Sequence, residues 1–479
     1  MGSTLRANDA STPFKVLVVG GSYCGLAAAF NLSDLCMGKS ARAAASYDGQ
    51  DGNGKSRGRG GRGGGRGGGR GGRGGRGGGG RGGGGPGRSD RGWVDRDNMT
   101  ADANPSAALP KENQPIHAEI TLVDERDGFY HVIGSPLVFA DKPYAEKAWT
   151  PYSEIPAMQA AHNVKTVHGS VTSVDMAAKT AVIKEAATAG GASRTVDFDF
   201  IIVATGLRRA FPVVPQSGDR AAYLAEVGQH IEAVTTAKDG VLVVGGGAVG
   251  IEMAAELKLA QPNVKVTLAH SRSRLLSSEP LPDEVAEKTL ELLKEEGVDV
   301  LLEHRMQETR EVEGAKEVVF TNGHTLRVNA VVVGISQSKP STDFLPAAAV
   351  NEEGYVKIQP DLFFPTDVPN HDSALAAGDN VQWSGIKRCG RAMYHGYFAA
   401  HNCHQRMQEL ISGSPAKYQS LKENIPVIAI ALGHNALAYA QGGEVQYGKD
   451  IADRFFSDDV GLKICEKILG FGKPVEAKV

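Results

Sequence analysis

Val16-Leu17-Val18-Val19-Gly20-Gly21-Ser22-Tyr23-Cys24-Gly25-Leu26-Ala27-Ala28-Ala29 is the stretch on which the fold turns. Its apolar, mostly β-branched start reads as a buried strand. A glycine turn follows, then a helix of small residues. The glycines stand as Gly20-x-x-x-x-Gly25, with Ser22 where a dinucleotide fingerprint carries its middle glycine. Gly20 permits the tight turn. Gly21 and Ser22 keep the backbone bare for a pyrophosphate at the helix N-terminus, and Gly25 lets helix and strand approach closely. A purely structural strand-turn-helix is the competing reading of one such match.

The pattern recurs. Val241-Leu242-Val243-Val244-Gly245-Gly246-Gly247-Ala248-Val249-Gly250-Ile251-Glu252 holds the spacing intact as Gly245-x-Gly247-x-x-Gly250. Two turns of this kind imply two nucleotide-binding units, and their usual occupants are a flavin dinucleotide and a nicotinamide dinucleotide held face to face.

Between the first helix and the next strand lies an interruption. Ten arginines between Arg57 and Arg91 sit among glycines. Such a segment buries too little apolar surface to offset its ordering entropy, so disorder is expected. Closure entropy grows only logarithmically with loop length, so the fold tolerates the insertion. The segment 38–115 carries 15 Lys+Arg against 7 Asp+Glu, while the whole chain has a net charge of −3, so the body is acidic and the insert basic. Weak RNA binding through residues 55–92, by phosphate contacts and arginine stacking, is one reading. A solvated insertion without a role is the other, and the tract lacks interleaved aromatics for bases to stack on.

Ala118-Glu119-Ile120-Thr121-Leu122-Val123-Asp124 reads as the second strand of the interrupted unit. Without the insert, Asp124 falls about twenty residues beyond the last glycine, where an acid binds the adenosine ribose. Val164–Val171 and Thr180–Ile183 alternate like antiparallel strands. Phe200–Val203 is a buried strand closing on Ala204-Thr205-Gly206, and Ser373–Ala377 is another closing on Gly378-Asp379. In the second unit, Val264–His270 ends without an acid: His270, Ser271, Arg272 and Arg274 stand there. An acid selects the 2′-hydroxyl of NADH, whereas arginine accepts a 2′-phosphate. NADH and NADPH both stay open, with a lean towards tolerating NADPH.

The chain of 479 residues is long enough for two or three domains. The reading divides it into a dinucleotide-binding domain in three parts (12–37, 116–213 and 340–410), the insert 38–115, a second dinucleotide-binding domain 214–339 and a C-terminal region 411–479. The fold class is α/β with two Rossmann-like domains, the first interrupted by the second. Apolar runs are too short for a transmembrane helix. The start reads neither as a secretory signal nor as a mitochondrial presequence. Met1-Gly2-Ser3 hints at myristoylation, but Arg6 stands where Ser or Thr is expected. The expected location is the cytoplasm, with peripheral contact at mitochondrial or lipid-droplet membranes as the alternative. The 5 cysteines are scattered, which argues for a reducing compartment and against a disulfide framework. No Cys-x-x-x-x-Cys redox pair and no zinc spacing occurs, so no metal is expected. Oligomeric state stays open.

The Gly20–Gly25 turn, Ala204-Thr205-Gly206, the Gly245–Glu252 turn and Gly378-Asp379, in that order, resemble the pyridine nucleotide-disulfide oxidoreductase superfamily. Val123–His131 and the tail Ala431-Leu432-Gly433-His434-Asn435 are similar to its apoptosis-inducing-factor-like, ferroptosis-suppressor branch, in a fungal-type form. The resemblance implies FAD in the first unit, NADH or NADPH in the second, and a quinone as acceptor. It gives Gly20, Gly21, Ser22 and Gly25 the FAD pyrophosphate, Asp124 the ribose, Val171 the adenine edge through its backbone, and Asp379, after Gly378, the ribityl chain. Thr205 and Gly206 join the flavin site. Gly245, Gly247 and Gly250 hold the nicotinamide dinucleotide, Arg272 stands near its ribose, and Glu252 lies near the nicotinamide. Hydride transfer between two cofactors needs orientation rather than a catalytic dyad. Glu252 is the residue expected to matter most. Lys147 is read either as a stabiliser of anionic reduced flavin or as a solvated helix face.

Overall fold

The computed structural model describes residues 12–42, 115–335, 338–423 and 425–472. The Arg-Gly tract at 55–92 and the myristoylation-like start lie outside the described residues.

Strands β1 (Phe14–Val19) and β2 (Ala118–Asp124) flank helix α1 (Tyr23–Cys36) in sequence. Then come β3 (Val164–Asp175), β4 (Thr180–Glu185), β5 (Ser193–Asp197) and β6 (Phe200–Val203). The second unit supplies β7 (Val241–Val244), helix α2 (Ala248–Ala260), β8 (Val266–Ala269), helix α3 (Asp283–Glu295), β9 (Asp299–Leu301) and β10 (Ala330–Val333). The chain then returns through β11 (Ala374–Ala376) and the long helix α4 (Cys389–Ser412). It ends in β12 (Val427–Leu432), β13 (Asn435–Ala440), β14 (Gln446–Gly448), α5 (Lys449–Phe455) and α6 (Leu462–Leu469).

The first sheet runs β11-β6-β1-β2-β3-β4-β5 and the second β9-β8-β7-β10. Pairing is parallel from β11 to β3 and throughout the second sheet, so both have the Rossmann arrangement, with the second inserted between β6 and β11. Val16–Val19 and Val241–Val244 are buried, as continuous apolar runs in parallel sheets should be. Each fully covered valine contributes roughly 1.5–3 kcal/mol over an exposed one.

One expectation changes. β3 is not simply antiparallel. Val164–His168 pair parallel with β2, and only Gly169–Asp175 turn antiparallel against β4. A single long strand thus leaves one sheet pattern and starts a meander, which a reading of local alternation cannot distinguish.

All of α1 is buried. Its small residues let α4 come close: a Cβ on Gly396 would stand 2.2 Å from the Cys24 carbonyl oxygen. At the end of α1 the Ile116 N–H donates to the Cys36 carbonyl at 2.8 Å, so the chain re-enters the fold beside the point where it left. Arg42, inside the segment read as insert, is buried. It donates to Asp34 at 2.7 Å and to the Gly470 carbonyl at 3.0 Å, and it lies over the Phe30 ring. Among the described residues no helix is long and apolar enough to cross a membrane.

Candidate functional site: two turns on one cleft

The two glycine turns are built alike. A Cβ on Gly25 would sit 1.6 Å from the Gly20 carbonyl oxygen, and one on Gly250 would sit 1.9 Å from that of Gly245. Gly20 has φ +100° and Gly245 has φ +123°, a region glycine enters without a Cβ clash. Behind them, a Cβ on Gly20 would strike the Ala204 carbonyl at 2.5 Å, and one on Gly245 would strike Gly334 at 3.0 Å. The middle position differs. A Cβ at Gly247 meets nothing within 4 Å, so only a ligand needs that position bare. This explains how Ser22 is accommodated there.

The strand-end residues correspond too. Asp124 Oδ2 accepts the Gly21 N–H at 2.5 Å, and its Oδ1 accepts the Arg126 N–H at 2.7 Å. In the second unit His270 takes that position, its Nδ1 accepting the Gly246 N–H at 3.1 Å. Since Nδ1 accepts, the proton belongs on Nε2, which then donates to Ser277 Oγ at 3.0 Å. Burial, together with the Arg272 charge, lowers the His270 pKa and keeps the ring neutral. Burial raises the Asp124 pKa, against the pull of Arg126 and the two amides. Arg272 Nη1 donates to the Ser277 carbonyl at 3.1 Å, whereas Arg274 is held by Asp283 at 2.6 Å.

Both turns open on one cleft of about 2360 Å³. Single-ligand sites measure roughly 300–1,000 Å³, so there is room for more than one. Its walls include Ser22, Thr205, Gly206, Asp379 and Arg209 from the first unit, and Gly245, Gly247, Glu252, His270 and Arg272 from the second. Gly20, Gly21, Gly25, Asp124, Gly250 and Gly378 shape the turns from behind rather than lining the space. Thr205 Oγ1 is shielded from solvent without a hydrogen-bond partner among the described residues. That orphaned hydroxyl at the wall fits a ligand's polar group. Asp379 stands 3.7 Å from Arg209.

The C-terminal region closes the cleft. Val427–Ile430 of β12 and Ile464, Cys465 and Ile468 of α6 form part of its wall. Glu252 reaches this region, where Oε1 accepts the Ala431 N–H at 3.0 Å. One turn further along α2, Glu256 Oε1 accepts the Gly433 N–H at 3.2 Å. Burial pushes both carboxyls up to about 8. On the other side Tyr23 and His131 tie the first unit to the chain before α6. The Tyr23 hydroxyl meets His131 Nδ1 at 3.0 Å, and His131 Nε2 meets the Val460 carbonyl at 3.1 Å. Desolvation lowers His131 to about 4, so it stays neutral.

Lys147 and Val171, also expected at the site, do not line the cleft either. Lys147 is exposed at the end of the short helix Lys142–Lys147 and lines a separate depression with Asp458, Asp459 and Lys463. The Val171 side chain is 8% exposed and packs in the core, whereas the expected adenine contact is through its backbone; Glu125 lines the cleft. Ser170 Oγ donates to Glu125 at 3.1 Å. Sequence reasoning missed Arg209, three residues past Gly206, and the wall residues of α6. Arg209 was findable from that proximity; α6 carries no motif.

A profile of the pyridine nucleotide-disulphide oxidoreductase family matches residues 106–396. The oxidoreductase OXR1 of Ajellomyces capsulatus is 39% identical over 477 residues, covering 98% of this chain and 90% of the relative. The ferroptosis suppressor protein 1 of Mus musculus is 25% identical over 311 residues, covering 63% of this chain and 78% of the relative. Among solved structures, the water-forming NADH oxidase from Lactobacillus brevis bound to NADH superposes with a TM-score of 0.54 at 14% identity, covering 89% of this chain and 75% of that one. That likeness is one of fold. The chain belongs to the pyridine nucleotide-disulphide oxidoreductase family. It is an FAD-dependent oxidoreductase that uses a nicotinamide cofactor, and its apoptosis-inducing-factor-like character is borne out by its relatives.

Proposed function

We propose that this chain passes a hydride from NADH or NADPH to FAD and then electrons to a quinone or similar acceptor. The observation that carries the reading is that the two glycine turns open on one cleft. The flavin reading assigns the domain parts 12–37, 116–213 and 340–410 to FAD and 214–339 to the nicotinamide dinucleotide, with 411–479 as cover.

Bound together, the two cofactors would supply the hydride transfer and the two-electron store. The protein's part is binding and orientation. Gly20, Gly21, Ser22 and Gly25 hold the FAD pyrophosphate at the N-terminus of α1. Asp124 retains lone pairs for the ribose beyond the two amides it accepts. Thr205 and Gly206 face the flavin, and Asp379, steadied by Arg209, binds the ribityl chain. Gly245, Gly247 and Gly250 hold the second pyrophosphate at α2, with Arg272 beside the adenosine ribose. Glu252 fixes the C-terminal wall near the nicotinamide through Ala431 and is a positioning residue. Val427–Ile430 and the residues of α6 exclude water from the space between the rings.

The quinone acceptor is what the resemblance to the ferroptosis-suppressor branch implies, and relatives of that branch are among the similar proteins. Anaerobic stopped-flow reduction by NADH and by NADPH, followed by mixing with a panel of quinones, tests the reading. The protein should be yellow, bleach on reduction and recover with quinone. Bleaching without recovery by any quinone sinks the acceptor; a colourless protein that FAD does not reconstitute sinks the whole reading.

A further inference from the structure

A row of side chains leads from solvent to the cleft along the join between α2 and the C-terminal region. His434 stands at its outer end with 73% of its side chain exposed, and its Nδ1 meets Glu296 Oε1 at 2.8 Å. The Glu296 side chain is 6% exposed, and its Oε2 accepts the His434 N–H at 3.2 Å. Glu256 comes next and is 3% exposed. Glu296 and Glu256 meet on Gly433. Glu256 Oε1 accepts the Gly433 N–H at 3.2 Å, and a Cβ on Gly433 would stand 2.6 Å from Glu296 Oε1. Glu252 precedes Glu256 by one turn of α2, which sets their Cβ atoms about 5–6 Å apart on one face. Glu252 is part of the cleft wall.

We propose that His434, Glu296 and Glu256 form a proton path from bulk solvent to Glu252, which, besides fixing Ala431, releases the proton into the cleft during quinone reduction. The proposal rests on the quinone reading above. The balance of that reaction calls for such a path: NAD(P)H, a quinone and one proton give NAD(P)⁺ and a quinol. The hydride carries both electrons and one hydrogen, so the second hydrogen comes from solution as a proton. The C-terminal wall that keeps water from the reacting space also keeps out that proton unless side chains conduct it. Glu252 gives up its proton, Glu256 replaces it, and Glu256 regains one through Glu296 and His434. Each O–H or N–H bond broken along the row is matched by one formed, and no electrons move along it.

The chemistry of the four groups suits the task. Burial pushes Glu252 and Glu256 up to about 8, so both hold a proton at neutral pH. Their matched affinities let a proton pass between them with little change in free energy, and a value near the working pH is what a proton donor needs. The other titratable groups acting on this pair are Cys389, beside Glu252, and Tyr144, beside Glu256. An imidazole is the side chain that takes up and gives up protons most readily near neutrality, and this one is exposed.

The test uses the full-length FAD-loaded protein with a short-chain ubiquinone. His434→Ala should lower quinone turnover by about 100-fold, the lower end of what positioned proton transfer contributes. Imidazole added to the buffer should restore most of the loss. Ferricyanide takes electrons without protons, so the same variant should reduce it as fast as the wild type does. Glu256→Gln still accepts the Gly433 amide but has no carboxyl proton to pass, so its loss of quinone turnover should persist in imidazole. A readout without turnover is the infrared spectrum of the oxidised protein at neutral pH. It should contain absorption from protonated carboxyls, shifted in D2O, and Glu256→Gln should remove part of it. His434 is on the surface, so its variant serves even if Glu256→Gln fails to fold. A protein without flavin, or one that leaves quinone unreduced, sinks the functional reading and the path with it. Quinone turnover that survives in His434→Ala, or falls equally with ferricyanide and is not rescued, overturns the path alone. So does an infrared spectrum that Glu256→Gln leaves unchanged.

Discussion

Glu252 accepts the Ala431 amide across the boundary between the second Rossmann unit and the C-terminal region, at 3.0 Å. It is the first of three carboxylates, two on α2 and one just past the end of α3, that receive amides from the end of β12 and the β12–β13 connection. Glu256 takes Gly433 at 3.2 Å and Glu296 takes His434 at 3.2 Å. The tail Ala431–His434 thus marks the seam where the cleft's cover is fastened. Two of the three carboxyls, Glu252 and Glu256, are raised by burial to about 8.

The seam makes stability depend on pH. Both folded pKa values lie above the unfolded carboxyl value of about 4.3. The folded state therefore binds more protons between these limits, and stability falls as pH rises. The contribution is complete below about 4.3 and is lost as pH passes about 8. Tm measured by calorimetry should decline between pH 6 and pH 9. Glu256→Gln, which cannot ionise but still accepts the Gly433 amide, should flatten that decline. A wild-type Tm that stays level or climbs over the range shows that the buried carboxyls are ionised throughout.

The two glycine turns can be disabled separately. Gly250→Ala puts a Cβ 1.9 Å from the Gly245 carbonyl oxygen, and the backbone must shift. Overpacking of this order costs about 1–3 kcal/mol, or roughly five- to 150-fold in nucleotide affinity. The variant should keep its flavin spectrum while the NAD(P)H concentration for half-maximal reduction rises by that factor. Gly25→Ala should instead weaken flavin retention, read by fluorescence of released FAD. Flavin loss from Gly250→Ala with normal retention in Gly25→Ala would reverse the assignment of the two units.

What the sequence disclosed was local. Gly20, Gly25, Gly245 and Gly250 announce themselves because a turn that tight and a helix that close leave no space for a Cβ. β1 and β7 announce themselves because a strand covered on both faces has to be apolar throughout. Asp379 follows from its glycine turn. What local sequence leaves open shares one cause: it depends on which distant segment packs alongside. Lys147 has a helix-like context, but only tertiary structure decides that its end faces Asp458 and Lys463. Val171 lies in the antiparallel part of β3, just past the change of partners at His168–Gly169, and its side chain is buried. The Glu252–Ala431 bond joins segments whose motifs are read separately.

Removal of the insert is predicted to leave the fold standing. Ile116 donates to the Cys36 carbonyl at 2.8 Å, so the ends of the excursion are already together. Arg42 must be kept, because it binds Asp34 and Gly470. Replacing residues 43–114 with a short Gly-Ser linker should preserve flavin content and shift Tm by no more than a few degrees, since closure entropy changes slowly with length. Any salt-dependent RNA binding by the full chain should vanish in the same protein. Insoluble or flavin-free linker protein would show that the insert contributes to the core.

Nucleotide choice follows from the exchange of Asp124's counterpart for His270. In the second unit the position that would carry an acid presents a neutral imidazole, committed to the Gly246 amide and to Ser277. The strand-end position itself carries no carboxylate to repel a 2′-phosphate or to bind a 2′-hydroxyl, and Glu279 is the acid that lines the cleft beside Ser278. Arg272, already oriented by Ser277, brings a cation to the same edge of the cleft, with Ser271 and Ser278 beside it. NADPH should therefore be the better reductant. A charge-assisted hydrogen bond contributes about 1.5–3 kcal/mol, so Arg272→Ala should lower kcat/KM for NADPH by roughly 10- to 150-fold and leave NADH within a few-fold. His270→Asp should act in the opposite sense, favouring NADH, because the carboxylate would still accept the Gly246 amide while offering an oxygen to the ribose and repelling the phosphate. Equal losses for both nucleotides in Arg272→Ala would mean that the guanidinium acts on the loop through Ser277 rather than on the phosphate, and selectivity would then have to originate elsewhere on the cleft wall, with His304 and Arg305 the next residues to test.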